Sequence, residues 1–347
     1  MNYNYHTHTY RCNHASMCKD LEYVENARKV GIKNLGFSCH IPNPLLEYHK
    51  KIERMSLKTS KEYIRSINKL KKKYKDMNIL CGFEAEYNPL HIEYLCSMKD
   101  KVDYMILGEH YIPNSYKLEK IDPYYPIKYA DMVCNALETG IFDILAHPDI
   151  FMKYRDKFKG DDYNLFISNS SYAIEKICKT ASELDIPLEI NLTSIRKNKK
   201  MKDFDYSYPT KLFFDTIIKY NNRVLFGVDA HNPEDFNYIE DNLKTLNNYI
   251  NLEDLFYIEE GYNPVNRSNI LNNLYNNTLN NKDSYINNIL KYINESNYIE
   301  YLNNMEDYYI NEYINLNKED YYNIEDTYKK KIKLVKKLYK IVGNKYE

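Results

Sequence analysis

The sequence predicts an α/β fold built on a mainly parallel sheet, and three observations predict it. Seven short apolar or β-rich runs alternate with stretches of helical periodicity, the pattern of repeated βα units. A side chain able to bind a metal or a substrate follows every run, as it does at the carboxyl ends of barrel strands. The 347 residues suit one barrel plus an extension, because α/β barrels reach about 250 residues as a single domain.

The first run, Asn2–Tyr5, leads into Tyr5-His6-Thr7-His8-Thr9-Tyr10-Arg11-Cys12-Asn13-His14. Strand alternation turns His6 and His8 to one face, about 7 Å apart along the backbone, and a short loop then brings His14. Asn34–Ser38 runs into His40, Ile79–Phe83 into Glu84 and Glu86, and Tyr104–Leu107 into His110. Phe142–Ala146 is followed by His147 and Asp149, Pro187–Ile190 by Asn191, and Arg223–Val228 by Asp229 and His231.

The intervening stretches carry helix signals. Asp20–Val30 ends at Gly31, and Pro126–Thr139 stops at Gly140. Thr59–Tyr74 sets Tyr63, Ile67, Leu70 and Tyr74 at helical spacing, as Ser170–Leu184 does Ile174, Ile177 and Ala181. Pro209–Tyr220 opens with proline at an early helical position. From Asn263 the character changes. Residues 1–262 read as the barrel, and 263–347 as an Asn-, Tyr- and Lys-rich, mainly helical extension without His or Cys. Its segment Lys329–Val342 places Ile332, Val335, Leu338 and Val342 on one face of a basic helix, read as docked on the barrel, with a membrane-surface or partner-binding helix as the alternative.

Composition narrows the function classes. A net charge of −1, with no basic stripe interleaved with aromatics on the barrel, argues against nucleic-acid binding. The seven cysteines are odd in number and scattered, which reads as reduced thiols in a cytoplasmic protein. There is no membrane-length apolar run and no export signal, so a membrane span is not expected. The oligomeric state is left open.

Of nine histidines, seven follow strand-like runs, whereas His49 and His91 read as loop or helix surface. The motifs H-T-H-T at 6–9, His14, S-C-H-I-P at 38–42, G-F-E-A-E-Y at 82–87, E-H at 109–110, A-H-P-D at 146–149 and G-V-D-A-H at 227–231 carry a resemblance. Over roughly residues 1 to 262 the chain resembles the polymerase-and-histidinol-phosphatase (PHP) family, above all its histidinol-phosphatase branch. The resemblance implies a distorted TIM-like (β/α)7 barrel and a centre of two to three divalent transition-metal ions. Position by position, it implies that His6, His8, Glu84 and Asp229 hold one ion. Glu84, chosen over Glu86 from the motif, bridges to a second with His110 and His147, and His14, His40 and His231 hold a third. Such mixed imidazole and carboxylate ligation suits Zn, Fe or Mn. Glu84, Asp229 and His231 are thereby the expected catalytic residues, and all nine ligand positions are filled, unlike those of domains that have lost catalysis.

The implied reaction is hydrolysis of L-histidinol phosphate in histidine biosynthesis; the alternative is another small phosphomonoester or a nucleotide. The segment Glu189-Ile190-Asn191-Leu192-Thr193-Ser194-Ile195-Arg196, with Tyr208-Pro209 after it, is similar to one whose arginine contacts substrate phosphate. Arg196 is therefore the expected phosphate clamp, Arg155 a second candidate, and Glu109 a candidate for gripping the rest of the substrate. Three motifs depart from the family: Ser38-Cys39-His40 stands where it has Ser-Asp-His, Leu107-Gly108-Glu109-His110 where it has Gly-Ser-x-His, and Ser194 where it has Gly. Cys39 reads as a buried structural thiol, with an extra soft ligand as the alternative.

Overall fold

The computed structural model describes residues 1–42, 54–88, 92–114, 117–118, 121–198, 208–258 and 262–280. His49, His91 and Lys329–Val342 lie outside the described residues. Eight strands pair in parallel: β1 (Tyr3–Asn4), β2 (Asn34–Phe37), β3 (Asn78–Ala85), β4 (Tyr104–Leu107), then, beyond the short hairpin of β5 (Pro113–Asn114) and β6 (Lys117–Leu118), β7 (Ile144–Leu145), β8 (Leu188–Asn191), β9 (Arg223–Gly227) and β10 (Phe256–Tyr257). Their spatial order follows the chain, so each crossover returns to the neighbouring position.

The sheet curls until its ends meet. His8 N–H donates to the Ala230 carbonyl at 2.8 Å and Ala230 N–H to that of His6 at 3.1 Å, joining the continuation of β1 to that of β9. The start of the same β9 edge is covered by β10, with Phe256 opposite Arg223 and Tyr257 opposite Val224. The seven expected strands thus form the barrel, and β10 adds an eighth on the expected architecture. Inside, Tyr5, Leu80, Tyr104, Ile106, Ile144, Ala146, Leu225 and Ile258 form one buried cluster. The pairs Tyr104/Ile106 and Ile144/Ala146 are two residues apart and so face the same way. Because every strand runs in one direction, all seven barrel strands deliver their carboxyl ends to one face.

Helices α1 (Asp20–Lys29), α2 (Leu57–Lys73), α4 (Tyr125–Leu137), α5 (Gly160–Glu183) and α7 (Lys211–Lys219) are those the periodicity announced. Most boundaries fall within two residues of those expected, and two shifts are plain. α5 begins ten residues before Ser170, and Pro209 precedes its helix, because the Thr210 hydroxyl caps α7 by accepting the Phe213 N–H at 3.2 Å. Helices α3 (Ile92–Lys99), α6 (Leu192–Asn198) and α8 (Ile239–Asn247) were not announced, and α9 (Asn269–Asn280) lies in the stretch expected to be mainly helical. α9 packs on the barrel, where Thr278 donates its hydroxyl to the Thr139 carbonyl at 2.9 Å. Among the described residues no helix is long and apolar enough to cross a membrane.

Candidate metal centre

Seven histidines and two acids from the strand ends meet at the carboxyl face of the barrel. Glu84, the penultimate residue of β3, is fully buried, and its two oxygens look different ways. Oε2 lies 3.4 Å from His6 Nε2, 3.4 Å from His8 Nε2 and 3.0 Å from His40 Nδ1. Oε1 lies 3.0 Å from His147 Nε2 and 3.5 Å from His110 Nε2. Gly108, after β4, makes room for this carboxylate, since a Cβ there would sit 2.0 Å from Oε1. Asp229 places Oδ1 3.1 Å from His8 Nε2 and 3.4 Å from His231 Nδ1. His14 and His231 complete the cluster, their Nε2 atoms 2.7 Å apart. His40 borders two sets, with its ring 4.6 Å from that of His8 and 5.2 Å from that of His14. His147 and Asp229 reach the site from left-handed backbone (φ 29° and 52°), a conformation costing about 1–3 kcal/mol that persists where the surroundings enforce it.

Hydrogen bonds at the far side of four rings fix which nitrogen faces inward. Nδ1 of His6 meets Glu189 Oε1 at 2.7 Å, and that of His110 meets Glu86 Oε1 at 3.0 Å. Nδ1 of His14 faces the Cys12 carbonyl at 3.1 Å, and that of His231 the Asp229 carbonyl at 2.9 Å. Each contact places an Nδ1 proton on an oxygen, so a neutral ring turns its Nε2 lone pair into the cluster. Lone pairs 2.7 Å apart on His14 and His231 repel unless a cation lies between or beside them, and the Nε2 atoms of His6 and His8 stand 3.1 Å apart. Glu84 Oε2 is buried without a hydrogen-bond donor.

The electrostatics agree. Burial alone would push Glu84 and Asp229 up, yet His40, His110 and His6 around the first, and His6 and His231 around the second, hold both carboxyls well below their usual range. Burial pulls His40 well down, and burial together with His8 pulls His231 down to about 4, leaving both neutral near pH 7. Burial works against charge on His6 and His8 too, but the carboxylates outweigh it, raising His6 well above its usual value and His8 to about 9. A site that draws protons onto buried imidazoles favours divalent cations in their place. This donor set fits Zn, Fe or Mn.

A supporting layer lies behind the donors. Besides His6, Glu189 accepts the His147 N–H at 3.2 Å and the Asn191 side-chain amide at 3.3 Å. That amide also reaches Asp229 Oδ2 at 3.1 Å. Gly227 leaves the space Glu189 occupies, because a Cβ there would lie 1.7 Å from Oε1. Glu86 sits between Arg54 and His110.

The PHP domain family model matches residues 4–193, more than half of the chain. The chain belongs to the PHP domain family. Two solved structures share the fold of this PHP chain. One, a candidate histidinol phosphatase from Listeria monocytogenes, superposes with a TM-score of 0.54 at 18% identity, over 67% of this chain and 96% of its own. The other is histidinol phosphate phosphatase from Lactococcus lactis subsp. lactis, complexed with Zn, L-histidinol and phosphate; its TM-score is 0.51 at 16% identity, over 70% of this chain and 92% of its own. Curated proteins give no match.

The PHP barrel places the remaining expected residues as follows. Arg196, on α6, pairs with Asp235 at 3.0 Å and lies over the Tyr238 ring at 4.8 Å, with a third of its side chain exposed. Asp235 in turn accepts the His231 N–H at 2.9 Å, so Arg196 connects to a ligand loop through one carboxylate. Glu109 is fully buried and accepts the Tyr87 N–H at 2.9 Å; burial, then Glu86, pushes its carboxyl well above the usual range. Arg155 is largely buried on the 3-10 helix Ile150–Lys157, 3.9 Å from Asp156. Sequence reasoning had given no role to Glu189 or Arg54. Glu189 is two residues before Asn191 on a strand, which was a usable signal; Arg54 stands in no motif.

Proposed function

We propose that this PHP chain is a metal-dependent phosphoric monoester hydrolase, and that L-histidinol phosphate is its substrate. One observation carries the reading: the buried Glu84 carboxylate presents one oxygen to His6, His8 and His40 and the other to His110 and His147. A carboxylate so placed is suited to serve two cations at once.

Phosphate monoesters hydrolyse so slowly unaided that catalysis must supply on the order of 20 kcal/mol. Two to three divalent ions, held as the sequence motifs imply, would supply Lewis acidity, easing water deprotonation and offsetting phosphoryl charge. The chain's own residues do the rest. Glu84 and Asp229 concentrate positive charge, His231 stays neutral to offer its lone pair, and Glu189 and Glu86 keep His6 and His110 turned inward. Arg196 supplies a planar fork matched to phosphate oxygens, held ready by Asp235 and Tyr238.

The motif at 189–196 and the fold shared with a phosphatase that binds L-histidinol and phosphate support this substrate, and with it a cytoplasmic role in histidine biosynthesis. The departures at Cys39, Leu107-Gly108 and Ser194 favour the alternative, another small phosphomonoester or a nucleotide. A panel of phosphomonoesters assayed beside metal analysis of the same sample separates the two. Histidinol phosphate should be turned over fastest, and chelation should abolish turnover until Mn or Zn is returned. Full activity in metal-free protein would refute the metal-dependent reading.

A further inference from the structure

Beside the carboxylate-rich cluster lies a second group of donors with different chemistry. Cys12 ends the 3-10 turn Tyr10–Cys12 after β1, and Cys39 follows β2. Both thiols are free and fully buried, and with His8 they form a set whose donor atoms all lie within 4.8 Å of one another. Nε2 of His8 faces Asp229 and Glu84, whereas its Nδ1 is buried without a hydrogen-bond partner. The Thr9 carbonyl lies 3.0 Å from Cys12 Sγ and 3.7 Å from Cys39 Sγ, so a fourth donor faces both sulfurs.

We propose that His8, Cys12 and Cys39 form a closed site for one borderline or soft cation of the Zn2+ class, distinct from the carboxylate cluster. Two thiolates and an imidazole select such ions over Mn2+ or Mg2+. In a tetrahedral zinc site with bonds of about 2.0–2.3 Å, donor atoms stand roughly 3.5–4 Å apart, within the spacing found here. Loading releases the two thiol protons to solvent, and the Thr9 contacts that now hold the sulfurs give way to the ion. With both sites loaded His8 would lie between them, one nitrogen to each, as an imidazolate whose ring proton also leaves to solvent, so that occupancy of the thiolate site bears on the cluster. Cys39 in place of the family's Asp supplies one of the two sulfurs.

Zinc-edge X-ray absorption of the full chain loaded with Zn2+ alone tests the assignment. The carboxylate cluster holds only nitrogen and oxygen donors, so a sulfur shell at about 2.3 Å reports the thiolate site alone. Wild type and Cys18→Ser should both show the shell, whereas Cys12→Ser/Cys39→Ser should lose it and bind one zinc fewer. Should that double variant fail to fold, Cys39→Ser, which keeps a hydroxyl beside Thr9, should halve the shell. Absence of sulfur scattering in wild type, or its persistence in a folded double variant, would overturn the proposal. So would a Cys12–Cys39 disulfide, two hydrogens lighter by intact mass. The readout is independent of hydrolysis, so the site and the proposed activity can fail separately.

Discussion

Replacing Glu189 with glutamine tests whether the layer behind the donors governs metal binding. The carboxylate accepts three hydrogen bonds, from His6 Nδ1 at 2.7 Å, the His147 N–H at 3.2 Å and the Asn191 amide at 3.3 Å. Glutamine has the same shape but only one accepting oxygen. If that oxygen faces His6, its NH2 group meets two donors, His147 N–H and Asn191 Nδ2. If the amide flips, its NH2 faces His6 Nδ1 and drives the ring proton to Nε2, where it blocks the lone pair. Either arrangement leaves a buried donor unmatched, at a cost of about 1–3 kcal/mol. Loss of an outer partner of a ligating histidine lowers affinity roughly 10- to 100-fold, or about 1.4–2.8 kcal/mol. Zinc affinity, measured by competition with a chelator, should fall by that factor, and activity at limiting zinc should fall with it. A zinc Kd within about twofold of wild type, in a variant that remains folded, would show that His6 is oriented without Glu189.

The two candidate bridging acids should separate. Glu86→Gln disturbs the orientation of His110 and the buried pairing with Arg54, for about 10- to 100-fold in metal affinity, while Glu84→Gln should lose more because it deprives two histidine sets of their shared charge; metal content measures both. Gly108→Ala should mimic the loss of Glu84, since its Cβ would fall 2.0 Å from Oε1 on backbone any residue can adopt, and metal content should drop while the far-ultraviolet circular dichroism holds. Arg196→Ala removes a charge-assisted fork worth about 2–3 kcal/mol, so kcat/KM for histidinol phosphate should fall roughly 30- to 150-fold, largely through KM, with Arg196→Lys in between. Metal content should stay unchanged in Arg196→Ala; if it fell instead, the arginine would be acting through Asp235 on the His231 loop.

What could be read from the chain alone follows the range of the forces involved. Strand alternation and helical periodicity are local, so the seven strand runs and the ends beyond them were legible, and with them the set from His6 to His231. Helices α3, α6 and α8 escaped because their boundaries depend on tertiary packing; α6 starts directly after Asn191 at a strand end, with no loop to announce it. Arg54 joins Glu86 from 32 residues away and Glu189 joins His6 from 183, distances over which no spacing rule operates.

The split of Glu84 between two histidine sets was legible only as motif, because spacing treats Glu84 and Glu86 alike. The fold breaks that equivalence in a simple way. Glu84 lies on the paired part of β3, opposite Ile106, and a glycine after the neighbouring strand opens space for its carboxylate. Glu86 lies beyond the last paired residue, where Arg54 and His110 draw it aside. The choice between two acids two residues apart is therefore made by Gly108 and Arg54, neither adjacent to them in sequence. Substituting either neighbour should disturb its own acid first.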